Sequence, residues 1–274
     1  MLDSHQHFWK TSRTDYGWLT PALGTIYRDF MPDDLQREMQ RAGITRTILI
    51  QAAETEAETD FLLSIAAETD FVAGVVGWLD LDSEEFEERL AHYRSNPLFV
   101  GVRPMLQGLD DDAFILRPRV LKSLKAIEAA GLPFDILTFT RHLPHVARAL
   151  EQVPGLRAVI DHISKPEIAD GNFEPWASRM EAIAAFPNVS CKISGMVTEA
   201  SPDWRLEDFR RYVDHVATIF GPDRLMFGSD WPVCLMAASY GEVANLARSL
   251  LSRHFGPPAL EKIFETNAAA FYRV

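Results

Sequence analysis

The chain has 274 residues, 47% hydrophobic and 24% charged, with 27 Lys plus Arg set against 39 Asp plus Glu for a net charge of −12. Apolar residues spread throughout such a length supply a full core and exclude a disordered chain. The acidity, with no concentrated basic patch, argues against nucleic acid or an anionic membrane as partner, while one or two local cations would still admit a small anionic ligand to a cleft.

The N-terminus, MLDSHQHFWK, lacks a basic segment followed by an apolar stretch, so no secretory signal is read there and a cytoplasmic protein is expected. No apolar run approaches the length that spans a bilayer. Along the chain, β-rich runs fall at 2–8, 46–52, 72–80, 99–105, 132–139, 157–164, 188–194 and 225–232. Amphipathic helical segments lie at 32–43, 56–68, 83–95, 119–131, 142–153, 175–186, 206–221 and 240–256. Pro32 suits a first helical turn, with Asp33 and Asp34 near the positive helix end. Ser83 reads as an N-cap, and Gly43 and Gly131 as left-handed helix stops. This alternation predicts parallel strands joined by helical crossovers. Eight units in one chain predict a single (β/α)8 barrel domain over residues 1–274, with an open doubly wound sheet as the alternative. The two cysteines, Cys191 and Cys234, form no disulfide framework and read as small buried apolar residues.

In such a barrel the chemistry sits where strands end at their C-terminal side. Strand one ends in His5-Gln6-His7, whose imidazoles share a face because they are two apart. They suit a divalent metal or a shared polar group of a substrate. Strand eight ends in FGSDWPVC, which places Asp230 beside them once the barrel closes. Strand six, VIDHISKP, offers His162 inward, and strict alternation then turns Asp161 outward to the helices. Arg103 on strand four and Lys192 on strand seven add positive charge; a lysine within a strand needs an acidic partner or an open cavity. Gln51 and Trp78, ending strands two and three, and His142, after strand five, are candidate substrate contacts. There is no Walker A sequence, dinucleotide fingerprint or GxSxG elbow. Ser229 and Cys191 alternate away from the interior, which leaves activated water as the nucleophile.

The segments DSHQHFW, VIDHISKP, CKISGMVTEA and RLMFGSDWPVC resemble the amidohydrolase superfamily (amidohydrolase 2 type), in its branch of sugar-acid lactonases, over almost the whole chain. The resemblance implies a distorted barrel, a small-molecule sugar-acid lactone as substrate, and hydrolysis of that lactone to its acid in carbohydrate metabolism. It carries over His5, His7, His162 and Asp230 as the polar centre, with Arg103 and Lys192 lining the pocket. Strand five, FDILTF, has no His or Lys, so a binuclear centre is not expected; a single zinc at His5, His7 and Asp230 is the metal option. Asp230 is expected as general base, with His162, Arg103 or Lys192 supporting the oxyanion. A metal-dependent decarboxylase, a lactone isomerase and a non-catalytic sugar-acid binding protein are the rival readings. The sequence assigns no oligomeric state.

Overall fold

The computed structural model describes residues 1–274. Eight strands, β1 (Leu2–Gln6), β2 (Arg46–Ile50), β3 (Val72–Gly77), β4 (Phe99–Val102), β5 (Phe134–Ile136), β6 (Ala158–Ile160), β7 (Val189–Ile193) and β8 (Leu225–Phe227), pair in chain order, each parallel to the next. Eight helices follow the strands on the outside: α1 (Pro32–Ala42), α2 (Glu56–Ala67), α3 (Phe86–Arg94), α4 (Pro118–Ala130), α5 (Leu143–Gln152), α6 (Trp176–Ala184), α7 (Leu206–Phe220) and α8 (Tyr240–Leu251). This is a (β/α)8 barrel. Gly43 and Gly131 end α1 and α4 at φ of 71° and 65°, where a Cβ is costly. Ser83 acts one step earlier than expected: its Oγ accepts from the Glu85 amide in the turn before α3.

The seam is closed by residues beyond β8. The His7 amide donates to the Trp231 carbonyl at 2.7 Å, and the Asp230 amide to the His5 carbonyl at 2.8 Å. Asp3, fully buried, accepts from the Ser229 and His5 amides and from the Tyr240 hydroxyl. Period-two alternation then sorts the apolar residues. Leu49, Val75, Ile160 and Phe227 pack outward under the helices, whereas Ile48, Ile50, Val76, Val159 and Met226 fill the barrel. The interior group includes Ala268, Phe271 and Tyr272, so a C-terminal segment absent from the predicted elements plugs the barrel. It comprises α9 (Pro257–Glu261), a π-turn (Lys262–Thr266) and α10 (Asn267–Tyr272). No helix is long and apolar enough to cross a membrane.

All eight predicted strands overrun their observed ends, most at β3, β4, β5, β6 and β8, which stop at Gly77, Val102, Ile136, Ile160 and Phe227. The polar residues that follow leave the ladder to build the mouth.

Glu58, at the start of α2, ties one mouth loop to another. It accepts from the Tyr16 hydroxyl at 2.6 Å and from the Ala52 amide at 3.2 Å. Burial raises its pKa from 4.5 to about 7. An acid that holds its proton more tightly when folded stabilises most below its unfolded pKa, and that gain is lost as pH rises through the folded value. At ~1.4 kcal/mol per pKa unit the loss approaches ~3 kcal/mol. Urea unfolding of Glu58→Gln at pH 5 and pH 8 is therefore expected to show a smaller drop than the native chain. Equal drops would remove Glu58 as the source.

Candidate active site

The strand ends bring together what the sequence scatters. His7 Nε2 lies 3.2 Å from His5 Nε2 and 3.3 Å from Asp230 Oδ1. His5 Nε2 and His162 Nε2 each lie 3.7 Å from the same oxygen. His5, His7, His162 and Asp230 are each no more than 4% exposed. Two glycines of the recognised motifs make this crowding sterically feasible. A Cβ on Gly195, at φ 62°, would sit 2.5 Å from the His162 ring, and one on Gly228 would sit 2.7 Å from His5 Cβ.

His162 is reached through an unusual backbone. After β6, four successive non-glycine residues, His162, Ile163, Ser164 and Lys165, take φ of 53°, 47°, 57° and 47°. Left-handed geometry costs an L-residue roughly 1–2 kcal/mol, so this turn needs external support. The Trp176 indole donates to the Ile163 carbonyl at 2.7 Å, Ser164 and Thr138 hydroxyls meet at 3.1 Å, and His162 Nδ1 meets Ser194 Oγ at 2.9 Å. The expected outward course of Asp161 is overturned. Alternation runs Val159 in, Ile160 out and Asp161 in, and the left-handed turn that begins at His162 brings the imidazole to the same side. The Asp161 carboxylate meets Lys192 Nζ at 3.0 Å, Arg103 Nη1 at 3.2 Å and His5 Nδ1 at 3.4 Å.

Lys192 is fully buried, 2.5 Å from Asp135 and 3.2 Å from His5 Nδ1. Asp135 also accepts from the Tyr272 hydroxyl at 2.8 Å. Lys192 is thus held by its carboxylate partners under His5, not on the cavity wall expected for it. Asp135 was not singled out in the sequence, although the requirement that Lys192 have an acidic partner pointed to FDI on strand five.

Burial and neighbours set the charges. Desolvation lowers the pKa of His162 to about 4 and that of His5 well below the ordinary value. Desolvation alone would raise Asp230, but the charge interaction with His162 and the hydrogen bond from His7 hold it below the ordinary aspartate range. At neutral pH the centre therefore holds an ionised Asp230 beside the neutral imidazoles of His5 and His162.

Above this centre opens a cavity of about 530 Å³, a size typical for small-molecule sites. His7, Arg103, His162 and Asp230 form its polar floor, and Trp18, Leu23, Met105, Leu137, Val233 and Met236 supply apolar walls. Gln51, Trp78 and His142 do not line it. The Gln51 amide donates to the Arg103 carbonyl at 2.9 Å, the Trp78 backbone pairs with Thr59, and His142 folds back on Phe139 at the start of α5. Three loop residues that do line it, Asp15, Glu54 and Lys165, were not singled out; loops carry no periodicity from which to read a direction.

The donor set fits one divalent ion. Ligand atoms of His5, His7 and Asp230 all lie within 4.8 Å of one another, and two imidazoles with a carboxylate suit zinc. His7 Nδ1, 2.8 Å from the Ile50 carbonyl, donates to it, which leaves the Nε2 lone pair facing the cluster. A second grouping, His5, Asp161 and His162, is less suited, because Asp161 already neutralises Lys192 and Arg103.

The amidohydrolase family profile matches residues 2–274, and the chain belongs to this family. It is 43% identical over 276 residues to an L-fucono-1,5-lactonase of Burkholderia ambifaria, covering 100% of this chain and 95% of that one. It is 39% identical over 258 residues to an L-fucono-1,5-lactonase of Burkholderia multivorans, covering 89% and 86%. An amidohydrolase from Burkholderia multivorans, crystallised with bound zinc, superposes with a TM-score of 0.94 at 36% identity, covering 100% of this chain and 99% of that one.

Proposed function

We propose that the chain hydrolyses a sugar-derived lactone to its open acid, with L-fucono-1,5-lactone as the first substrate to test. The observation that carries this reading is Asp230, ionised beside the neutral imidazoles of His5 and His162 at the floor of a cavity roomy enough for a single sugar ring. The two relatives named for that reaction cover 100% and 89% of the chain.

Water held against Asp230 attacks the lactone carbonyl as its proton passes to the carboxylate. The new oxyanion gathers at Arg103 and His162, both on the cavity floor. Collapse of the tetrahedral intermediate breaks the bond to the ring oxygen, which takes up that proton as a hydroxyl; the new carboxylic acid then ionises. A depressed Asp230 is a weak base but is always in the right charge state, and an ester is activated enough to need only modest help. When bound by His5, His7 and Asp230, a zinc ion would supply Lewis acidity beside the same carbonyl.

A pH-indicator screen of aldono- and uronolactones reads the proton each opening releases. Turnover with an open acid as product supports the proposal; an isomeric lactone or carbon dioxide as product would replace it. Arg103→Met is expected to lower kcat/KM by roughly 10²–10³-fold, the loss typical of an oxyanion donor. An unchanged value in a variant that still melts cooperatively would remove Arg103 from that role.

A further inference from the structure

We propose that Glu54, in the loop between β2 and α2, selects uncharged lactones and hastens departure of the anionic product. This rests on the lactone-hydrolase reading and concerns the same cavity. Besides its imidazoles, the cavity is lined by five ionisable side chains: Asp15, Glu54, Arg103, Lys165 and Asp230. Four are already satisfied. Asp15 pairs with Arg13 at 2.5 Å, Arg103 with Asp161 at 3.2 Å and Lys165 with Glu199 at 3.2 Å, while Asp230 sits among histidines.

Glu54 alone is uncompensated. It is exposed at the cavity rim, makes no hydrogen bond and has no cation within 4.0 Å, and only partial desolvation acts on its carboxyl, raising its pKa. A sphere of the cavity's volume is about 10 Å across, which sets the order of the separation between Glu54 and a bound charge. At that range, in a medium between protein and water, two negative charges repel by a factor of roughly three to ten in affinity. Salt reduces this, because the Debye length is comparable to the separation.

The repulsion acts on only one side of the reaction. A neutral lactone carries no charge for Glu54 to oppose, and ring opening turns it into a carboxylate inside the cavity. Product is therefore disfavoured relative to substrate at the moment it forms. A lactone that already bears a carboxylate meets the same repulsion on entry.

The test compares the native full-length chain with Glu54→Gln and Glu54→Asp. The readouts are the inhibition constant of the aldonate product and the ratio of kcat/KM for a neutral lactone over a carboxylate-bearing one. Glu54→Gln is expected to lower both by about three- to tenfold. Glu54→Asp, which keeps the charge, is expected to stay near the native values, and the differences are expected to shrink at about 0.5 M salt. Native-like values in Glu54→Gln, or changes that salt leaves untouched, would overturn the proposal. Should none of the proteins open a lactone, the reaction reading falls on its own. Calorimetric titration with the aldonate then still decides: tighter binding to Glu54→Gln supports the role of Glu54, and equal binding ends it.

Discussion

Asp230→Asn is expected to abolish turnover while leaving the barrel folded. Asn keeps the shape of the side chain and tolerates the φ of 57° that position 230 adopts. The seam bonds there also survive, because the Asp230 amide and not its carboxylate donates to His5. What disappears is the negative charge among the imidazoles and, with it, the acceptor for the water proton. A positioned base contributes roughly 10²–10⁴-fold, so kcat should fall by that much in a variant that still melts cooperatively. A variant with near-native kcat would take the proton-accepting role from Asp230 and leave His162, the neutral imidazole beside it, as the remaining candidate.

The barrel and its central carboxylate were legible because they rest on periodicity. Alternating strand and helix signals fix the order β1 to β8, closure follows from it, and closure alone sets His5 and His7 beside Asp230. Asp161 was misread because the alternation was anchored on His162, which lies past the strand in a left-handed turn, whereas Val159 inside and Ile160 outside already put Asp161 inward. No glycine marks that turn: it is imposed by Trp176, Thr138 and Ser194, which are remote in sequence. Gln51, Trp78 and His142 occupy strand ends or the loop beyond, but the Gln51 and His142 side chains bond to backbone groups, and the Trp78 backbone is held by the Thr59 hydroxyl. Position predicted the neighbourhood of the site, not the direction of a side chain. The C-terminal plug was missed for a related reason: α10 is short and small-residue rich, and its role appears only once Tyr272 reaches Asp135.

Lys192→Met should be the most destabilising single change beneath the site. Lys192 is the shared cation of two buried carboxylates, Asp135 at 2.5 Å and Asp161 at 3.0 Å. Removing it leaves Asp161 with Arg103 but leaves Asp135 with only a tyrosine hydroxyl. Stranding a buried charge costs roughly 3–5 kcal/mol, a large fraction of the ~5–15 kcal/mol that holds a typical domain together. Denaturant unfolding should register that loss. Adding Asp135→Asn should recover much of it, because the amide needs no counter-ion and its oxygen still accepts from Tyr272. The pair also separates two roles for this lysine. If Lys192 only supports His5 from below, the double variant regains both stability and most of its activity. If Lys192→Met instead keeps its stability and loses kcat, the ammonium acts on the substrate, and the buried position assigned to it here is not the one it holds during turnover.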